Sequence, residues 1–183
     1  MQDDIMALFV YDRWANRKVF DACRKLTAEQ FVAEPVPGWS SVRSTIYHIA
    51  WATELHLRTL AGEGDPGDSI PPTPPQPPEA DLAMVGGVDD AARLLECAYG
   101  HFEVLRPTLT PERLKTMLTL RGSDPRIGEF AFTVPRWAML RHIVTHSTYH
   151  RGQVASKLKR FGIEQPNTDF FFWAIEQTPR QEA

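Results

Sequence analysis

Cysteine is scarce in this chain: two among 183 residues, Cys23 and Cys97. They lie far apart, and neither belongs to a Cys-x-x-Cys pair, which excludes a zinc knuckle or a thiol-redox motif. Both read as small core residues. Positive charge is also in short supply. Lys and Arg number 20 against 23 acidic residues, for a formal charge of −3 and a pI of about 6.1. The basic residues are scattered, and the densest run, Lys157, Lys159 and Arg160, reads as a solvated helix end. Duplex binding draws on clustered cations, so a general nucleic-acid partner is excluded. No uninterrupted apolar stretch approaches the ~20 residues of a membrane helix. The first residues are acidic and then amphipathic, with neither a basic leader nor a small-residue cleavage site. The expectation is a cytoplasmic protein, with its thiols reduced and no membrane partner.

What the chain does contain is apolar material for one core. Its hydrophobic content is 43%, which suits a single domain over 1–183. The apolar positions recur at helical spacing in four segments. The first covers 3–25, with Ile5, Leu8, Phe9, Val19, Phe20 and Cys23. Tyr11 and Trp14, three apart, add an aromatic stripe that reads as core. After the break at Pro35 and Pro37, Ser40 or Ser41 can cap a second helix over 41–61. A third runs over 89–106, with Ala92, Leu95, Cys97, Phe102 and Leu105 facing inward. The fourth runs from Pro135, a residue suited to a first turn, to Phe161, with Gly162 as its stop.

Between them lie two irregular regions. Residues 71–78 read Pro-Pro-Thr-Pro-Pro-Gln-Pro-Pro, a stiff surface connector. Residues 116–133 alternate in places around Gly122 to Pro125, so a short hairpin or an irregular loop fits there. The tail from Pro166 to Trp173 is aromatic enough to pack on the helices. Four principal helices with little strand signal predict an all-α four-helix bundle.

The chemistry lies in six histidines, at 48, 56, 101, 142, 146 and 150. His146 and His150 are four apart. A helix turns ~100° per residue, so the two rings leave one face, about one turn apart. Such a pair can grip one metal ion, but the pair alone is a weak signal, because surfaces carry it too. Here Met139, Ile143 and Val154 flank the face, so the rings point inward, and buried imidazoles need partners. A third ligand is expected from another helix, and His48, among Ser44, Ala52 and Leu55, is the best placed. His56 lies ~80° away from His48 on the helical wheel and ranks lower. His142 reads as a supporting or packing residue and His101 as an exposed one. Glu54 lies ~120° off the His48 face, which leaves no residue assigned as a general base.

The segments Tyr11-Asp12-Arg13-Trp14-Ala15-Asn16, Ser44-Thr45-Ile46-Tyr47-His48-Ile49 and His142-Ile143-Val144-Thr145-His146-Ser147-Thr148-Tyr149-His150-Arg151-Gly152-Gln153 together resemble the DinB-like (YfiT-type) family of bacterial metal-binding proteins. The last segment is the most specific. The resemblance implies a four-helix bundle with an unusual connection order and a three-histidine site at His48, His146 and His150. The implied metal is a divalent ion, zinc or nickel first, with iron or manganese also suited to imidazole. It further implies a homodimer, and for some relatives a reaction using a low-molecular-weight thiol such as bacillithiol or mycothiol and a small-molecule substrate. The proline-rich connector departs from the family pattern.

The neighbouring residues read as follows. Gly152 leaves room for a helix to approach, Arg151 pairs with an acid or caps the aromatic tail, and Tyr149 buries its hydroxyl. Gln153 either hydrogen-bonds a ligand imidazole, fixing its tautomer, or simply packs. Three neutral nitrogens would leave a fourth position open on a tetrahedral ion, where water or a thiol is activated. Metal-assisted hydrolysis and thiol transfer are the expected reactions. A non-catalytic metal-binding or stress-response protein is the alternative, favoured if a fourth protein ligand such as His142 closes the site.

Overall fold

Residues 2–61, 82, 85–124 and 128–178 are described by the computed structural model. The elements in chain order are α1 (Gln2–Cys23), α2 (Ala28–Val32), α3 (Val42–Ala61) and α4 (Val88–Leu105). A 3-10 turn and α5 (Pro111–Lys115) follow, then β1 (Met117–Asp124), β2 (Gly128–Pro135), α6 (Arg136–Arg160) and α7 (Phe170–Gln177). The four long helices, α1, α3, α4 and α6, form an all-α bundle close to the expected bounds. The proline-rich segment 71–78 lies outside the described residues.

Local chemistry sets the helix ends. Thr27 and Gln30 form a reciprocal capping box at α2. The hydroxyl of Ser41, rather than that of Ser40, accepts the Ser44 amide at 3.1 Å and starts α3. Pro135 stands just before α6 and not within its first turn. Gly162, at φ +73°, ends α6; its amide donates to Lys159 and that of Ile163 to Leu158.

The contacts fix how the helices run. Phe9 stacks on Phe102, and Arg24 pairs with Asp89, so α1 and α4 are antiparallel. Asp4 pairs with Arg141 and Asp12 with Arg151, so α1 and α6 run in parallel. Lys157 meets Ser40 while His56 meets His142, so α3 is antiparallel to α6. Around the bundle the order is therefore α1, α6, α3, α4. Sequential helices are usually neighbours; here α1 and α3 are diagonal, as are α4 and α6. It follows that α3 and α4 are adjacent and parallel. The start of α4 therefore lies about one helix length from the end of α3.

Ile5, Val19, Ile46, Ile49, Leu57, Leu140, Ile143 and Leu158 are each 0–1% exposed and form the centre of the core. Each such side chain contributes on the order of 1.5–3 kcal/mol by leaving water. Of the two options for 116–133, the hairpin is the one present, with Met117 paired to Pro135 and Asp124 to Gly128. Its base is anchored through buried Leu118, while Phe132 is half exposed.

Several expectations fail in instructive ways. Cys23 is buried but Cys97 is exposed. The buried face of α4 is set by Leu95, Ala98, Tyr99, Phe102 and Leu105, and Cys97 lies ~200° from Leu95. The tail does pack on the helices as expected, the rings of Phe170 and Trp173 lying 5.1 and 5.9 Å from that of Tyr11, while Phe171 and Phe172 stay exposed. An eight-residue helix has one face to bury. Tyr149 is exposed, and a Cβ at Gly152 would meet nothing within 4 Å, so neither is packed against another helix. Lys157 is not part of a solvated helix end; it is buried.

Candidate metal centre

His146 and His150 project from one face of α6 toward α3, where His48 meets them. The ring centroids lie 4.4 Å apart for His146 and His150, 4.6 Å for His48 and His150, and 5.1 Å for His48 and His146. Nε2 of His146 stands 3.1 Å from Nε2 of His150 and 3.3 Å from Nε2 of His48. Nitrogens bound at about 2.0–2.1 Å to one tetrahedral ion are ~3.3 Å from each other. The three rings thus have the spacing of a ligand set. Among the described residues they are the one group of three or more His, Cys, Asp or Glu side chains close enough to share an ion.

Proton positions point the same way. The amide oxygen of Gln153 lies 2.8 Å from Nδ1 of His150, and an oxygen there can only accept. Nδ1 therefore carries the proton and the Nε2 lone pair faces the cluster. Nε2 of His146 faces two ring nitrogens at once, and a single proton cannot serve both. Converging lone pairs repel unless a cation lies between them. Burial, reinforced by the neighbouring imidazoles, drives the pKa of His48 down to about 4 and that of His146 to about 3. Burial also lowers His150, against the pull of its Gln153 hydrogen bond. At neutral pH all three rings are neutral, the form a metal binds.

The remaining histidines extend the row without joining it. The ring of His142 lies 5.4 Å from that of His146 and 5.9 Å from that of His56. His142 is exposed at its edge and does not close the site. His101, expected in solvent, is half-buried and pairs with Glu54 at 3.1 Å, which takes that carboxylate away from the cluster.

A second, fully buried polar cluster lies behind the site, and the sequence reading passed over most of it. Arg151 is 2% exposed and Asp12 0%, and the two form an ion pair. Nη1 of Arg151 also donates to Ser147 at 3.0 Å and to Asn16 at 3.1 Å. Tyr99 donates to Asp12 at 2.9 Å. Nη2 of Arg151 reaches the Tyr11 hydroxyl, which in turn donates to the Thr168 carbonyl at 2.9 Å. Arg151 thus meets both roles expected of it: an acid partner and, through Tyr11, a hold on the tail. Burial pushes the Asp12 carboxyl up and Arg151 pulls against it.

The cluster matters to the histidines because of helix phase. Ser147 and Arg151 each follow a candidate ligand by one residue, ~100° around α6. Fastening that face to α1 turns the adjacent face, with His146 and His150, toward α3. The signal was in the sequence: Asp12 and Asn16, four apart, interrupt an apolar stripe, and Ser147 and Arg151 repeat the same spacing.

No helix among the described residues is long and apolar enough to cross a membrane. Comparison with known proteins gives one answer throughout. The chain is 25% identical over 175 residues to protein DinB of Bacillus subtilis (strain 168), with 93% of each chain covered. A DinB-like protein of Bacillus cereus shares the fold at a TM-score of 0.62 and 18% identity, over 90% of this chain and 95% of that one. YfiT from Bacillus subtilis, described as a probable metal-dependent hydrolase with an unusual four-helix bundle topology, also reaches 0.62. Its identity is 19%, over 88% of this chain and 87% of YfiT. The DinB family model matches residues 1–181, and this chain belongs to the DinB family.

Proposed function

We propose that the protein is a metal-dependent enzyme that holds one divalent ion through Nε2 of His48, His146 and His150 and acts on a small molecule by hydrolysis. The observation that carries this reading is the convergence of the three imidazoles, with Nε2 of His146 3.1 Å from that of His150 and 3.3 Å from that of His48. The description of YfiT as a probable metal-dependent hydrolase supports it. A divalent ion in such a set supplies a Lewis acid with a fourth position free for substrate.

The chain's own residues supply orientation. Gln153 holds the His150 proton on Nδ1, and the Asp12–Arg151 cluster fixes the rotation of α6. Zinc and nickel both suit three imidazoles. Thiol-dependent transfer, implied by the family resemblance, would use the same open position.

One observation favours a second reading, a non-catalytic metal-binding module. Glu54, the carboxylate nearest in sequence to His48, is occupied by His101. The experiment that separates them has two parts. Elemental analysis of the untagged protein is expected to give about one ion per chain, with clear loss in His48→Ala, His146→Ala and His150→Ala. The cobalt-substituted protein should then change its visible spectrum on adding azide or a low-molecular-weight thiol. A silent spectrum would favour the non-catalytic module, and metal retained in any variant would remove that histidine from the set.

A further inference from the structure

Beside His150 the surface opens into a cavity of about 290 Å³ lined by Trp39, Ser40, Gln153, Ser156 and Lys157. Lys157 forms its floor and is 3% exposed. Its ammonium donates to Ser40 Oγ at 2.9 Å and to Thr45 Oγ1, and has a long contact of 3.4 Å with the Ser41 carbonyl. All three partners are neutral oxygens. No carboxylate of the described residues pairs with this charge, although a buried ammonium normally has one. The start of α3, with its own positive end, points at the same place, so the backbone adds to the imbalance rather than relieving it. Burial lowers the Lys157 pKa to about 8, which still leaves the group largely protonated at neutral pH.

The cavity neighbours the histidine cluster. Gln153 lines it and accepts from Nδ1 of His150, so cavity and ligand ring are one side chain apart. The charge of Lys157 is also felt at His150, where it opposes protonation after the larger effect of burial.

We infer that this cavity binds the carboxylate of a small organic acid, with Lys157 and Ser40 as its partners, and that the acid is the substrate class presented to the three-histidine site. A single ammonium beside hydroxyl donors matches one monoanionic group, and the half-exposed Trp39 ring offers a face for the carbon chain. The carboxylate would replace the long Ser41 contact and supply the missing counter-charge. The cavity lies near the lower end of ligand-pocket volumes, about 300–1,000 Å³, which suits a compact molecule. The carboxylate site stands on the cavity alone; only its link to substrate rests on the metal reading above.

The two parts are tested separately. In the first, the metal-free full chain is titrated with propionate, followed by amide and indole NMR shifts. Saturable shifts confined to Trp39, Ser40, Gln153 and Ser156 are expected. Lys157→Met should weaken binding at least about tenfold, a change worth about 1.4 kcal/mol. Ser156→Asp, at an exposed position, places a competing carboxylate in the cavity and should weaken it equally, whether or not Lys157→Met folds. Shifts that scatter without saturating, or an affinity unchanged in Ser156→Asp, would overturn the site.

In the second, the cobalt-loaded protein is titrated with succinate monohydroxamate and with acetohydroxamate, read by visible absorption. The carboxylate-bearing ligand should bind about tenfold more tightly, and Lys157→Met should bring that ratio to about one. Equal affinities in the parent would overturn the substrate link. Failure to load cobalt would overturn the metal reading and leave the carboxylate site to the first titration.

Discussion

Gln153 and His150 lie three residues apart on α6, and the amide oxygen of one accepts from Nδ1 of the other at 2.8 Å. This contact decides which ring nitrogen is free. With the proton held on Nδ1, Nε2 is left unprotonated, its lone pair facing the cluster 3.1 Å from Nε2 of His146. Outer partners of this kind typically change metal affinity by about 10–100-fold. Gln153→Leu should weaken zinc binding by that amount without abolishing it. Competition with a chromogenic chelator would measure the change, and unaltered affinity would assign Gln153 to packing.

Metal should stabilise the fold through the same three rings. A ligand present at about 100 times its Kd adds about 2.7 kcal/mol to the folded state. At roughly 2–4 °C per kcal/mol for a domain of this size, zinc should raise the melting temperature by about 5–10 °C. His146→Ala, at the centre of the cluster, should show no such rise in differential scanning calorimetry.

The buried pair behind the site should be costly to break from one side. Arg151→Met leaves Asp12 without its cation in a fully buried place, and such losses run to about 3–5 kcal/mol. Removing both charges with Asp12→Leu and Arg151→Met should cost much less than the sum of the two single changes. Urea denaturation of the four proteins would show it, and strict additivity would mean the charges do not act as a pair.

Acid should destabilise the metal-free protein over a defined range. In the unfolded chain these histidines titrate near 6.5, whereas His48 and His56 are lowered to about 4 and His146 to about 3. As pH falls below about 6.5 the unfolded state takes up protons that the folded state refuses, so stability is lost from there down to about 3. Melting temperatures at pH 7, 6 and 5 should fall in that order. His56→Phe should flatten the slope, and bound zinc should move the loss to lower pH.

Much of the fold was legible in the chain itself. Apolar residues at helical spacing located all four long helices to within two or three residues, because burial of one face is a local periodic demand. The spacing of His146 and His150 was equally plain, since a helix places residues four apart on one side wherever it lies. The hairpin was visible only as one of two options, because much of it stays exposed and little burial enforces its pattern.

Other features belong to no single segment. Whether His48 meets His146 depends on α3 and α6 being neighbours, and that order departs from chain order. Cys97, Tyr149 and Gly152 looked placed for contact and face outward, while Lys157 looked solvated and is buried beneath a surface cavity. Their fates follow from small rotations of a helix about its axis, and the Asp12–Arg151 cluster helps set that rotation. The sequence by itself determined the helices and the side of each on which the histidines stand, since both follow from the period of the backbone. Which helices share a boundary, and so whether three imidazoles meet around one point, was decided only when buried charges and apolar faces were satisfied together in the packed molecule.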